Sequence, residues 1–136
     1  MKRSEARDLA FHLIFERAFR EDGLDEIVAD AEEARMIEED EFALSLAQQV
    51  NDHLSEIDAA IDRYSDRWKV NRLSKVTLAV LRLAIGELMF FDDIPVAATI
   101  NEAVELAKKY STQEDANYVN GVLGAYVKDY PKEDAK

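Results

Sequence analysis

The stretch 70–126, VNRLSKVTLAVLRLAIGELMFFDDIPVAATINEAVELAKKYSTQEDANYVNGVLGAY, decides the fold of this 136-residue chain. It holds the longest apolar run, one of the two prolines and three of the four glycines. Ser74 is a fitting N-cap, so a helix is predicted over 75–91. Within it Val76, Leu78, Val80, Leu81, Leu83, Ile85, Leu88, Phe90 and Phe91 leave little polar surface, and a helix apolar on most sides is buried by others. Gly86 costs such a helix about 1 kcal/mol relative to Ala, which a close neighbour would explain. Asp92-Asp93-Ile94-Pro95 is a short connection, with Pro95 suited to the first turn of the next helix. Over 96–110, Ile100, Ala103, Val104 and Ala107 share one face, and Glu105 and Lys109 stand four apart as an ion pair in the favourable order. After the polar turn 111–115, Val119, Val122, Leu123 and Tyr126 form the stripe of a last helix. Gly121 and Gly124, three apart, are expected to admit a close neighbour.

The preceding residues read as a helical cover for that core. Ala6, Leu9, Ala10, Leu13, Ile14 and Phe15 recur at three- and four-residue steps, predicting a helix over 3–20 that ends at Glu21-Asp22-Gly23, with Gly23 as its C′ residue. A modest amphipathic helix follows over 25–36. The acidic run 38–41 suits the start of a third helix, where carboxylates meet the positive end of the dipole. Consecutive helical positions diverge too far for these four to converge on a metal ion. Over 42–68 the apolar spacing is 4, 4, 3, 4, 3 and 4, either one long helix or two in line, and a weakened capping box at Ser55 and Asp58 places a break near 54–55. His53 falls at the edge of the stripe. The tail 131–136 is expected to be disordered. With no strand-like alternation and no repeat, the fold class is all-α: a single domain of six or seven helices.

Composition narrows the chemistry. Apolar residues make up 48%, enough for one folded domain with a sizeable core. There is no cysteine, hence no disulfide, thiolate nucleophile or cysteine metal site, which fits a reducing compartment. Four glycines include no phosphate-cradling loop, and no serine has a histidine and a Gly-rich elbow beside it. A non-catalytic binding module without cofactor or metal is the expectation. The stretch 1–15 is broken by Glu5, Arg7, Asp8 and His12, unlike a signal peptide, and nothing approaches the roughly 20 apolar residues of a membrane span. A cytoplasmic protein with no membrane partner is expected. The net charge is −12, with 9 Lys/Arg against 19 Asp/Glu in residues 1–70 and 8 against 10 in 71–136. That field repels polyanions, so any nucleic-acid contact must come from a local basic patch. Lys2, Arg3 and Arg7 form a local excess of positive charge in the first half, at a helix end where the dipole disfavours cations.

Three segments resemble the NusB family of bacterial transcription antitermination factors: RLSKVTLAVLRLAIGEL at 72–88, DDIPVAATINEAVELAKKYS at 92–111 and NYVNGVLGAY at 117–126. SEARDLAFHLIF at 4–15 resembles the family's weaker first-helix signature. The resemblance implies an all-α fold of two helical subdomains, here 1–68 and 70–130, and no catalysis. It implies binding to boxA-type RNA of nascent ribosomal leader transcripts together with a small-subunit ribosomal protein (NusE), within the RNA polymerase antitermination complex. By position it assigns RNA contacts to Lys2, Arg3, Arg7, Phe15, Asn117 and Tyr118, with Lys75 and Arg82 in the neighbouring region. Glu114 and Asp115 match the family's acidic partner-binding turn, with Glu87 and Glu105 as looser candidates. In the family's basic N-terminal segment this chain has Ser4 and Glu5, and it has Asn117 where some members carry lysine; both imply weaker RNA binding by the isolated protein. The acidic charge also motivates an alternative, a protein-interaction adaptor or homodimer with little RNA affinity of its own.

Overall fold

The computed structural model describes residues 2–19, 23–33 and 40–131. Among these, seven α-helices are joined by short connections: α1 (Arg3–Arg17), α2 (Leu24–Glu33), α3 (Glu41–Asp52), α4 (Leu54–Tyr64), α5 (Lys75–Phe90), α6 (Val96–Tyr110) and α7 (Gln113–Asp129), with a 3-10 turn at Val70–Arg72. The described residues form no strand. The all-α expectation holds. No helix among the described residues is long and apolar enough to cross a membrane.

Helix α5 is the axis of the molecule, packed by α1, α3 and α4 and also by α6 and α7. Eleven of its sixteen residues are buried, as its nearly continuous apolarity requires. The buried side chains of all seven helices join in one core cluster. At Gly86, α5 comes close to Val50 of α3. A Cβ there would lie 2.6 Å from Val50 Cγ2 and 3.7 Å from Ile57 Cδ1, so the expected close neighbour is present. Gly121 and Gly124 differ: a Cβ on either would meet nothing within 4 Å, and among the described residues neither has the neighbour expected for it.

Side-chain caps start three of the helices. Asp40 accepts from the Ala43 N–H at 2.9 Å and starts α3. Ser74 accepts from the Thr77 N–H at 3.1 Å and starts α5. Thr112 accepts from the Asp115 N–H at 3.0 Å and starts α7. Each satisfies a helix-end donor that would otherwise lack a partner. Several boundaries differ from expectation. α1 stops at Arg17, and Gly23 instead precedes α2, its carbonyl accepting from the Ile27 N–H at 3.2 Å. Glu21 and Asp22, the end of the predicted second helix at 34–36, the acidic residues Glu38 and Glu39, and the tail 132–136 lie outside the described residues. Pro95 stands one position ahead of α6, as its N-cap. The break between α3 and α4 falls at His53, whose backbone leaves the helical region (φ −126°, ψ 29°). The Ser55–Asp58 box does not make this break. The His53 ring lies against Phe90 at 4.3 Å, and its Nδ1 is 2.9 Å from the Gln49 carbonyl oxygen.

Polar contacts position α1. Arg7 and Glu87 are 4% and 1% exposed. Arg7 Nε donates to both Glu87 carboxylate oxygens at 3.1 and 3.0 Å, and Nη2 donates to Oε1 at 2.6 Å. Thr99 Oγ1 donates to the same oxygen at 2.9 Å, drawing α6 into the pair. Both expectations for these residues are therefore corrected: Arg7 does not face outward towards RNA, nor Glu87 towards a partner. Each is consumed inside the core by the other. On the outer side of α1, Asp8 receives Lys109 Nζ at 2.6 Å and the Tyr110 hydroxyl at 2.7 Å. Burial alone would raise the Asp8 pKa, but these hydrogen bonds outweigh it and hold the carboxyl below its ordinary value. Lys109 is thus taken by Asp8, and Glu105 pairs with Lys108 at 3.5 Å rather than with Lys109.

Two stability outcomes follow from these contacts. Gly86→Ala is expected to destabilise the wild type through overpacking against Val50, and to become neutral or stabilising in a Val50→Ala background, where the obstructing methyl is gone. The coupling read from a urea-denaturation double-mutant cycle should be on the order of 1–3 kcal/mol. Arg7→Met leaves the Glu87 carboxylate buried and unpaired, at an expected cost of about 3–5 kcal/mol. Adding Glu87→Leu should recover most of that loss, because the pair is then replaced by packed apolar groups.

Candidate nucleic-acid interface

The connection between α4 and α5 and the first turns of α7 meet around Tyr118. This side chain is half-buried and lies edge-on to Trp68, with ring centroids 5.3 Å apart. Ser65 holds the two together. Its Oγ donates to the Trp68 carbonyl oxygen at 2.5 Å and lies 2.5 Å from the Tyr118 hydroxyl. With the Ser65 proton given to Trp68, the phenol is the donor in the second contact. Burial pushes the Tyr118 pKa up and nearby Asp62 and Asp66 add to the rise, against the Ser65 hydrogen bond, so the phenol keeps its proton. Trp68 remains 38% exposed, one of three large hydrophobic side chains so exposed among the described residues.

Tyr118 is a wall between two hollows. One, of about 390 Å³, includes Arg67, Glu114 and Asn117 in its lining. The other, of about 160 Å³, includes Trp68, Arg72, Ser74, Thr77 and Asp115. The Arg67 guanidinium lies 5.7 Å from the Trp68 ring centroid, within reach of a cation–π contact. Its pairing with Glu114, at 4.0 Å between two mostly exposed side chains, is too loose to hold it. This arrangement offers aromatic faces to unstacked bases and guanidinium groups to the phosphates joining them.

The residues singled out from the sequence are only partly brought together. Tyr118, Asn117, Glu114 and Asp115 are brought together at the start of α7. Asn117 is exposed and accepts from Gln113 Nε2 at 2.9 Å. Glu114 is exposed, while Asp115 is half-buried and accepts from the Ser111 hydroxyl, tied into the cap of its own helix. Lys2 and Arg3 are exposed at the far end of α1. The Arg3 guanidinium covers the Phe42 ring at 3.9 Å in a hollow that also contains Asp40, Glu41 and Asp93, so its charge is set among carboxylates. Phe15 is half-buried between Phe11 and the exposed Phe19, at 5.9 and 4.9 Å between ring centroids. Lys75 is exposed at the start of α5. Arg82 is bound through Nε and Nη2 to the two Asp58 carboxylate oxygens at 2.9 and 2.8 Å. Glu105 is exposed on α6, near Lys108. Arg7 and Glu87 belong to the core.

Sequence reasoning does not single out Trp68, Arg67 and Arg72 for binding, although a signal is present. Residues 63–72 read RYSDRWKVNR, four Arg or Lys residues interleaved with Tyr64 and Trp68 in and beside the acidic half of the chain. Trp68 also continues an apolar stripe, and assigning it to the core hides its exposure.

Comparisons with known proteins place the chain as a whole. A family model described as the NusB family matches residues 4–128. The transcription antitermination protein NusB of Natranaerobius thermophilus is 44% identical over 128 residues, covering 90% of this chain and 92% of that one. Its namesake from Acetivibrio thermocellus is 42% identical over 130 residues, covering 94% and 90%. Among solved structures, T. maritima NusB superposes with a TM-score of 0.82 at 35% identity, over 100% of this chain and 94% of that one. The crystal structure of antitermination factors NusB and NusE in complex with double-stranded RNA gives 0.84 at 30% identity, over 94% and 97%. Matched in sequence and in fold over nearly its whole length, the chain belongs to the NusB family.

Proposed function

We propose that this chain is a non-catalytic transcription antitermination factor. It binds boxA-type RNA together with a small-subunit ribosomal protein of the NusE kind, and the pair acts within the RNA polymerase antitermination complex. The observation that carries this reading is the Trp68–Tyr118 pair, with Trp68 exposed beside Arg67 and Arg72 on a molecule of net charge −12. The similarity to a NusB–NusE complex holding RNA supports the same partners here. Asn117 lies beside this pair, and Glu114 is exposed at the rim as the candidate contact for a basic protein partner. Lys2, Arg3 and Phe15 contribute at the α1 side. Because the long-range field opposes RNA, a second protein that adds positive charge would raise affinity by more than its own contacts.

The test is a titration of boxA-like and scrambled RNA at two salt concentrations, with and without the ribosomal protein. Preference for the boxA-like strand, larger with the partner present, is the expected result. Trp68→Ala should weaken binding by roughly 5- to 150-fold, the equivalent of removing one base stack at about 1–3 kcal/mol. Arg67→Gln should lower the slope of log affinity against log salt by about 0.7. Equal binding of both RNAs in both settings would overturn the reading and favour the adaptor or homodimer alternative, which sedimentation of the free protein then separates. Arg7 is unsuitable as a probe of RNA contact, because its loss acts on the core.

A further inference from the structure

A second concavity lies across the start of α5 from the Trp68–Tyr118 hollow. Ser74 and Thr77 line that hollow, whereas Lys75 and Arg82 face the other way, into a cavity of about 240 Å³ lined by residues of α1, α3 and α5 and by Leu24 and Leu54 at the starts of α2 and α4. The volume is several times the roughly 30 Å³ share of one water, so a tetrahedral oxyanion fits with water around it. Arg17 joins Lys75 and Arg82 in the lining, and among the described residues no carboxylate contributes to it. In a chain with 29 Asp and Glu against 17 Lys and Arg, three basic side chains line one hollow, Arg82 among them already paired with Asp58.

The details suit an anion. Arg82 is held by Asp58 through Nε and Nη2, which fixes the guanidinium plane and leaves the Nη1 hydrogens for another acceptor. Asn51 also lines the cavity, and its Oδ1 is buried without a hydrogen-bond partner among the described residues. An unanswered buried amide oxygen is costly. Turned end for end, the same amide would present its NH₂ to an oxyanion. Beside the cavity stands Phe19, 60% exposed, with Lys75 Nζ 5.9 Å from its ring centroid. A cation pocket next to an open aromatic face matches one nucleotide unit, phosphate and base.

We propose that this cavity is a phosphate-binding pocket, with Arg17 and Lys75 supplying charge, Arg82 a fixed donor and Asn51 a neutral one. Its natural occupant is a phosphate of the bound RNA, whose next base rests on Phe19. This part of the proposal rests on the RNA-binding reading above. The pocket itself does not.

The experiment is amide-resolved NMR of the full chain titrated with inorganic phosphate at constant ionic strength, alongside RNA binding measured over a range of salt. Saturable shifts at Asn51 and Lys75 are expected, abolished in Arg17→Gln/Lys75→Gln and reduced in Lys75→Gln alone, an exposed position whose change spares the core. The double variant should lower the log–log salt slope of RNA binding by about 0.7 for every phosphate that it no longer neutralises. Phe19→Ala should weaken RNA binding and leave the phosphate titration as in the wild type. Phosphate saturation with an unchanged RNA slope would refute RNA as the source and assign the pocket to a free phosphate-bearing ligand. No saturable shift, with wild-type affinity and slope in the double variant, would overturn the pocket altogether. If the wild type shows no boxA preference, the proposed function fails, while the phosphate titration still decides the pocket.

Discussion

The Arg7–Glu87 pair is the constraint on which the arrangement of α1 depends. An apolar stripe specifies which face of a helix turns inward, but it tolerates small rotations and slips. A bidentate ion pair in the core does not, because a buried charge displaced from its partner costs several kcal/mol. Glu87 accepts three hydrogen bonds from Arg7 and one from Thr99, so α1, α5 and α6 are held at one point. With Arg7 inward, the helical period sets the rest of α1. Asp8 and His12 meet the end of α6, Arg3 reaches Phe42, and Phe15 and Phe19 are left towards the outside. The surface that α1 can offer to a ligand follows from a contact that never touches one.

Electrostatics then separates cations that are committed from those that are available. Arg7 is neutralised by Glu87, Arg82 is partly neutralised by Asp58, and Lys109 is held by Asp8. Lys75, Arg67 and Arg72 are exposed around the start of α5, and none of the described carboxylates is close enough to neutralise them strongly. At physiological salt the screening length is about 8 Å. A local group of exposed cations can therefore act on a phosphate while acidic surface farther away than that is felt mainly during approach. A net charge of −12 and a basic binding face are compatible on these terms, provided that the face is compact.

Much of the fold is legible in the sequence because its signals are local. The cap at Ser74, the apolarity of α5 and the demand of Gly86 for a close neighbour all depend on residues a few positions apart, or on one residue's missing side chain. The boundaries that differ involve competing local options. Gly23 suits either the end of one helix or the start of the next. A capping box at Ser55 suggests one place for the α3–α4 break, whereas the backbone leaves the helical region at His53, whose ring packs on Phe90. The site is less legible, because its residues are joined only by the fold. Trp68 and Tyr118 are fifty positions apart, and Arg7 and Glu87 eighty. A periodic pattern reports that a side chain lies on a stripe, and cannot report that the stripe runs past the end of the core at Trp68.

Charged residues that interrupt an apolar pattern admit two readings, and depth decides between them. Arg7, Arg82 and Glu87 all break helical stripes, and each is a reasonable candidate for contact with a ligand on sequence grounds. Glu87 lies deep in α5, among neighbours that are themselves buried, so a carboxylate there requires a buried cation. The question raised by such a position is therefore which basic residue elsewhere also interrupts a stripe, and Arg7, between Ala6 and Ala10, is the answer in this chain. Arg82 is nearer the start of α5 and retains some exposure, so Asp58 can hold one side of its guanidinium while the other still borders a hollow. Lys75, in the first turn, has no core to satisfy. Along a single helix, the same kind of interruption passes from structural, through shared, to available for binding as its depth decreases.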